Sequence, residues 1–135
     1  MTPEERSVFA GLADVLVPSA DDMPSASEIG VHQRLLDRAL AARPDLAQPL
    51  LTLVRTAHGR DPLAEVHRLR HEDDDGFGVL LLVVTAAYYL SRKVRRLIEY
   101  PGQRPVEVFP DQAEYDLRDG ILDSVIARGP IWRRA

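Results

Sequence analysis

The sequence predicts an all-α fold, a single compact domain of about six helices with a proline-rich irregular stretch before the last. Three observations carry this. Apolar residues recur at three- and four-residue spacing along most of the chain. Capping boxes of the form Ser/Thr-x-x-Glu open two of these periodic segments, and no segment alternates apolar and polar residues long enough to make a half-buried strand. At 135 residues, one helical domain over 1–135 would bury roughly two-thirds of the surface its unfolded chain exposes.

The elements follow in order. Thr2 caps a helix begun by Pro3, with Glu5 as the answering acid, and Val8, Phe9, Leu12, Val15 and Leu16 mark its apolar face until Pro18 stops it. Ser25 and Glu28 repeat the box. Ile29, Val31, Leu35, Leu36, Ala39 and Leu40 then give a second helix up to about Arg43. Asp45 or Gln48 opens a third, with Pro49 tolerated in its first turn, Leu50, Leu53, Val54 and Ala57 facing inward, and Gly59 at its end. Asp61-Pro62 is a cap followed by proline at the first helical position, so Leu63, Val66 and Leu69 belong to a short fourth helix.

Residues 77–90 form the central, most apolar helix, preceded by Asp73, Asp74 and Asp75, whose charge suits a helix N-terminus. Ser91 caps a further turn carrying Val94, Leu97 and Ile98. Tyr100-Pro101-Gly102-Gln103 has the proline and glycine of a type II turn. Residues 104–115 are irregular, and Leu117, Ile121, Leu122, Val125 and Ile126 make a last helix closed by Gly129-Pro130.

Composition excludes several function classes. A net charge of −4, from 17 Lys plus Arg against 21 Asp plus Glu, offers nucleic acid no overall attraction. Cysteine is absent, which removes disulfides, thiolate metal sites and iron–sulfur ligation. The opening residues show no basic-then-apolar leader, and the apolar run 77–90 is too short for a bilayer span, which together point to a cytoplasmic chain without membrane insertion.

Catalytic motifs are missing as well. His67 and His71 lie four apart on one helix face, but no third ligand is placed and a solvated polar face explains them better, so no metal is expected. There is no Gly-x-Ser-x-Gly elbow, and Gly76-Phe77-Gly78 lacks the strand that a phosphate or dinucleotide loop needs. The chain alone is therefore expected to bind no flavin and catalyse no oxidation.

What stands out instead suits docking. Residues 12–31 run from an apolar helix end through Pro18, an acidic turn and Pro24 to a new helix start, a segment of structural punctuation without reactive groups. Tyr88, Tyr89 and Tyr100 are either core or interface anchors, and Trp132, beyond the Gly129-Pro130 stop and flanked by Arg128, Arg133 and Arg134, reads as an anchor in a C-terminal strap. The basic knot Arg92, Lys93, Arg95 and Arg96 reads as a solvated helix face that an acidic partner would use.

In three places the chain resembles the gluconate 2-dehydrogenase subunit 3 family, the small subunits of flavin-dependent glucose-methanol-choline type dehydrogenases: residues 12–31, the Tyr88-Tyr89 pair, and Tyr100-Pro101-Gly102-Gln103, in the family's order. Ser25 stands where the family has glycine, and the family's twin-arginine signal is not seen. The resemblance thus implies the subunit role rather than export or a particular sugar acid. It implies a non-catalytic helical accessory subunit that stabilises a large flavoprotein, with FAD on that partner and no cofactor here. Pro18, Pro24, Tyr88, Tyr89, Tyr100, Pro101, Gly102, Gln103 and Trp132 would be the partner-binding residues. The alternative is a free-standing helical ligand-binding or regulatory domain.

The turn at Tyr100 can be tested at once. The third residue of a type II turn needs a positive φ, so Gly102→Val is expected to destabilise the protein by about 1–3 kcal/mol, read as a lower melting temperature.

Overall fold

The computed structural model describes residues 1–103, 105, 120 and 123–129. The chain forms two compact units, Met1–Pro101 and Gly102–Ala135, parted inside the predicted turn. All regular elements among the described residues are helical, so the fold is all-α. The first unit contains α1 (Pro3–Leu16), a π-helical turn (Val31–Leu35), α2 (Leu36–Ala42), a short 3₁₀ turn (Pro44–Leu46), α3 (Ala47–Ala57), α4 (Pro62–Glu72), α5 (Asp74–Tyr89) and α6 (Arg92–Leu97). In the second unit α7 (Asp123–Arg128) is described. Leu117, Ile121 and Leu122 of the predicted last helix, and Trp132, Arg133 and Arg134, lie outside the described residues.

Local chemistry sets most of the boundaries. Thr2 Oγ1 accepts from Glu5 N at 3.1 Å while Glu5 Oε2 accepts from Thr2 N at 2.7 Å, a complete capping box. Asp61 accepts from Ala64 N at 2.8 Å to open α4, and Asp73 from Gly76 N at 2.9 Å to open α5. The central helix thus begins at Asp74, three residues before the predicted Phe77, because Asp73 is its cap and Asp74 and Asp75 fill its first turn.

The second helix departs most from expectation. Ser25 and Glu28 do exchange capping bonds, with Ser25 N donating to Glu28 Oε2 at 2.6 Å, but only a turn follows. Gly30 takes φ 72, the left-handed region where glycine alone is unstrained, and Gln33 sits at φ −108, ψ −129. Regular α-helix starts only at Leu36. The cause is tertiary. Arg6 on α1 donates to the carbonyls of His32 at 2.9 Å and Gln33 at 3.2 Å, and pairs with Asp37 at 2.6 Å. A guanidinium satisfying these carbonyls makes the kink affordable.

Helix α5 is the hub of the first unit, packing against α1, α2, α3, α4, α6 and the π-helical turn. Its inward side is Leu80, Val83, Val84, Ala87 and Tyr88, all buried among Phe9 and Leu12 of α1, Leu36 of α2, and Leu50 and Val54 of α3. Each fully buried aliphatic side chain there contributes about 1.5–3 kcal/mol. No helix among the described residues is long and apolar enough to cross a membrane.

The crossover between α1 and the π-helical turn is tied down by side chains rather than by regular structure. Asp14 Oδ1 accepts from Ser27 N at 2.7 Å, and the Tyr88 hydroxyl donates to the Pro24 carbonyl at 2.7 Å, with Tyr88 4% exposed. Tyr88→Phe would leave that buried carbonyl unpaired, at a cost of about 1–3 kcal/mol. A lower melting temperature with unchanged helix content is the expected result.

Candidate functional site

The residues nominated as partner contacts fall into two groups. Pro24 and Tyr88 are buried against their own chain, which corrects their reading as contacts: the Pro24 end of segment 12–31 is spent on its own core. Pro18, Tyr89, Tyr100, Pro101 and Gln103 are exposed. Gly102 has the positive φ expected of it, 87°. Trp132 lies outside the described residues. Tyr89 packs edge-on against Tyr88, with ring centroids 5.7 Å apart, yet is 50% exposed on the far side of α5.

Tyr100 and Pro101 stand beside the basic knot, and the end of α6 explains how. Ser91 caps the helix and Val94 is its one buried residue, so Arg92, Lys93, Arg95, Arg96 and Leu97 are left around the outside. The helix closes with Tyr100 N donating to Arg95 O at 2.8 Å and Glu99 N to Arg96 O at 3.1 Å, the bond pair of a Schellman motif. Glu99 occupies its left-handed position, at φ 53. Glycine would be unstrained there; glutamate costs of order 1 kcal/mol.

The reversal throws three apolar side chains outward. Leu97 is 42%, Ile98 44% and Tyr100 51% exposed. A six-residue helix anchored by one valine has no further inward face to give them. Beside them Arg92, Arg95, Arg96, Tyr100 and Pro101 line a shallow hollow of about 170 Å³. Arg95 Nε is buried without a hydrogen-bond partner among the described residues. A buried donor of this kind favours an incoming acceptor. Tyrosine and arginine around an apolar centre are the residues that carry most of an interface's energy. The sequence signal that was underused is the density of basic residues on so short a helix.

Other concavities suit chemistry less well. A cleft of about 450 Å³ between α3, α4 and the start of α5 includes Thr52, Thr56, Arg68 and Asp73. Its strongest polar groups are already engaged, Arg68 with Glu65 at 2.7 Å and Asp73 with the α5 cap. Among the described residues no three His, Asp or Glu side chains converge as a metal would require.

Glu65 is the one acidic residue buried in the first unit, 3% exposed, and it accepts from Arg68 at 2.7 and 3.1 Å and from Arg60 at 2.9 Å. The hydrogen bonds from Arg68 hold its carboxyl below the usual carboxylate range; burial pushes the other way, and Arg60 adds to the lowering. It therefore stays ionised and accepts only, clamping α4 to the loop before it rather than donating a proton.

No family model, curated protein or solved structure matches this chain.

A carboxylate whose pKa is lowered on folding stabilises the fold above its unfolded pKa, and that stability is lost as the pH falls through the lower, folded value. Glu65→Gln is accordingly expected to lower stability at neutral pH and to flatten the decline in melting temperature below about pH 4.5, the ordinary glutamate value. A pH series of melts on both proteins checks it.

Proposed function

We propose that this chain is a non-catalytic helical small subunit that docks on a larger protein through the arginine–tyrosine end of α6. The observation that carries the reading is that Leu97, Ile98 and Tyr100 are each more than two-fifths exposed at the same helix end where Arg92, Arg95, Arg96, Tyr100 and Pro101 line a hollow. A monomer gains nothing by displaying three large apolar side chains together at a strained helix end. A partner that covers the apolar centre and offers carboxylates or carbonyls to the arginines would gain both terms.

The resemblance to gluconate 2-dehydrogenase subunit 3 supplies the identity of that partner, a flavin-dependent oxidoreductase large subunit that holds the FAD and does the chemistry. On this reading the small subunit contributes surface, stabilisation and position. The alternative, a ligand-binding domain, has the α3–α4–α5 cleft in its favour, but that cleft's Arg68 and Asp73 already have intramolecular partners.

Co-expression with the product of the neighbouring gene is the test. A flavin-containing complex should elute as one species in size exclusion. Tyr100→Ala should weaken it by about 2 kcal/mol, roughly 30-fold in Kd, with little change in melting temperature because the ring is half exposed. Unaltered binding by Tyr100→Ala, or flavin retained by the isolated chain, would defeat the proposal.

A further inference from the structure

Helix α5 is apolar on both sides, and among the described residues only one side is covered. Leu81 is 44%, Leu82 45% and Tyr89 50% exposed, and Gly78, Thr85 and Ala86 lie on the same outer stripe at helical spacing. A helix apolar all round belongs in an interior, so the outer side needs a cover.

The stripe is complementary to itself. Counted inward from both ends towards a centre between Val83 and Val84, Gly78 stands opposite Tyr89, Leu81 opposite Ala86 and Leu82 opposite Thr85, a smaller residue against a larger one each time. The charges at the two ends also differ in sign: Asp74 is exposed in the first turn of α5, and Lys93 is exposed on α6 beyond its end.

Gly78 adds an independent observation. Glycine inside a helix weakens it relative to alanine. At Gly76 the reason is local, because a Cβ there would run into the Asp73 carboxylate. At Gly78 a Cβ would meet nothing within 4 Å, so no contact among the described residues requires the glycine. An incoming aromatic ring would.

The charges fix the direction. Asp73, Asp74 and Asp75 mark the start of α5, and beyond its end Arg34, Arg38, Arg92 and Lys93 line a groove of about 580 Å³ that includes Leu90. None of these four cations is in an ion pair among the described residues. Parallel pairing would set like charges together at both ends, whereas antiparallel pairing sets each acidic start against the other copy's basic groove.

We propose that the outer face of α5 is the interface of a symmetric dimer, in which α5 of a second copy runs antiparallel across it, Tyr89 of each copy over Gly78 of the other and Asp74 beside Lys93. A stripe ~18 Å long on a helix ~10 Å wide is smaller than the interfaces of stable complexes, so the pairing is weak. This interface borders the docking end of α6 at Arg92, which lines both hollows, but its apolar face lies on α5 and the proposal does not depend on the docking described above.

Sedimentation equilibrium of the full chain from about 1 to about 200 µM tests it, and should show a reversible monomer–dimer equilibrium. Leu82→Glu should raise the dimer Kd about tenfold or more, and so should Gly78→Leu, which replaces a helix-weakening residue with a helix former and therefore cannot act by unfolding. Asp74→Lys and Lys93→Asp should each weaken the dimer severalfold, and the two together should restore it; Tyr100→Ala should leave it unchanged. A wild-type monomer at every concentration would overturn the proposal and leave the face to an unlike partner. So would a dimer indifferent to Leu82→Glu and Gly78→Leu, or a charge swap no tighter than its single variants.

Discussion

The burial of one side of α5 is the constraint on which the rest of the first unit depends. Leu80, Val83, Val84 and Ala87 give α1, α2, α3 and α4 a common surface to pack on, to which the contacts of α1 with α3 and α4 are added. Helices of seven to fourteen residues are marginal in isolation and take their stability from such packing. The same helix carries Tyr88, whose hydroxyl reaches the Pro24 carbonyl, so the irregular crossover is fixed by the element that organises the core.

Charge is divided between two tasks. The acids mostly work within the fold: Glu5, Asp61 and Asp73 cap helices, Asp14 and Glu28 hold the crossover, Asp37 meets Arg6, and Glu65 clamps Arg60 and Arg68. The cations divide more sharply. Arg6, Arg43, Arg55, Arg60 and Arg68 are paired, while Arg34, Arg38, Arg92, Lys93, Arg95 and Arg96 have no ion-pair partner among the described residues. A chain whose net charge is −4 thus offers its neighbours a basic corner built from α2 and α6. Net charge described the whole and concealed the surface that matters for association.

Helix starts were legible because their signals are local. A cap needs a side-chain oxygen within three residues, and Thr2, Asp61, Asp73 and Ser91 all supply one. The interruption at Gly30 and Gln33 was not legible, because it is stabilised by Arg6, some 26 residues away in the chain. The outward turn of Leu97 and Ile98 was hidden for a related reason. Glutamate at 99 is a poor signal for a left-handed residue, so the end of α6 just after Leu97 is not marked in the sequence. The candidate site was therefore half visible: Tyr100, Pro101 and the basic knot could be named, but not the apolar centre that joins them.

By itself the sequence determined that this protein is a set of short capped helices around one markedly apolar helix, because caps, breakers and periodicity act over a single turn. Only the tertiary structure decided which side of that helix faces inward. Leu80 and Leu81, or Val83 and Leu82, are equivalent in hydropathy, and periodicity cannot choose between two apolar stripes on one helix. The choice was made by packing. Phe9, Leu12, Leu36, Leu50 and Val54 gather on one side, which leaves Leu81, Leu82 and Tyr89 on the other.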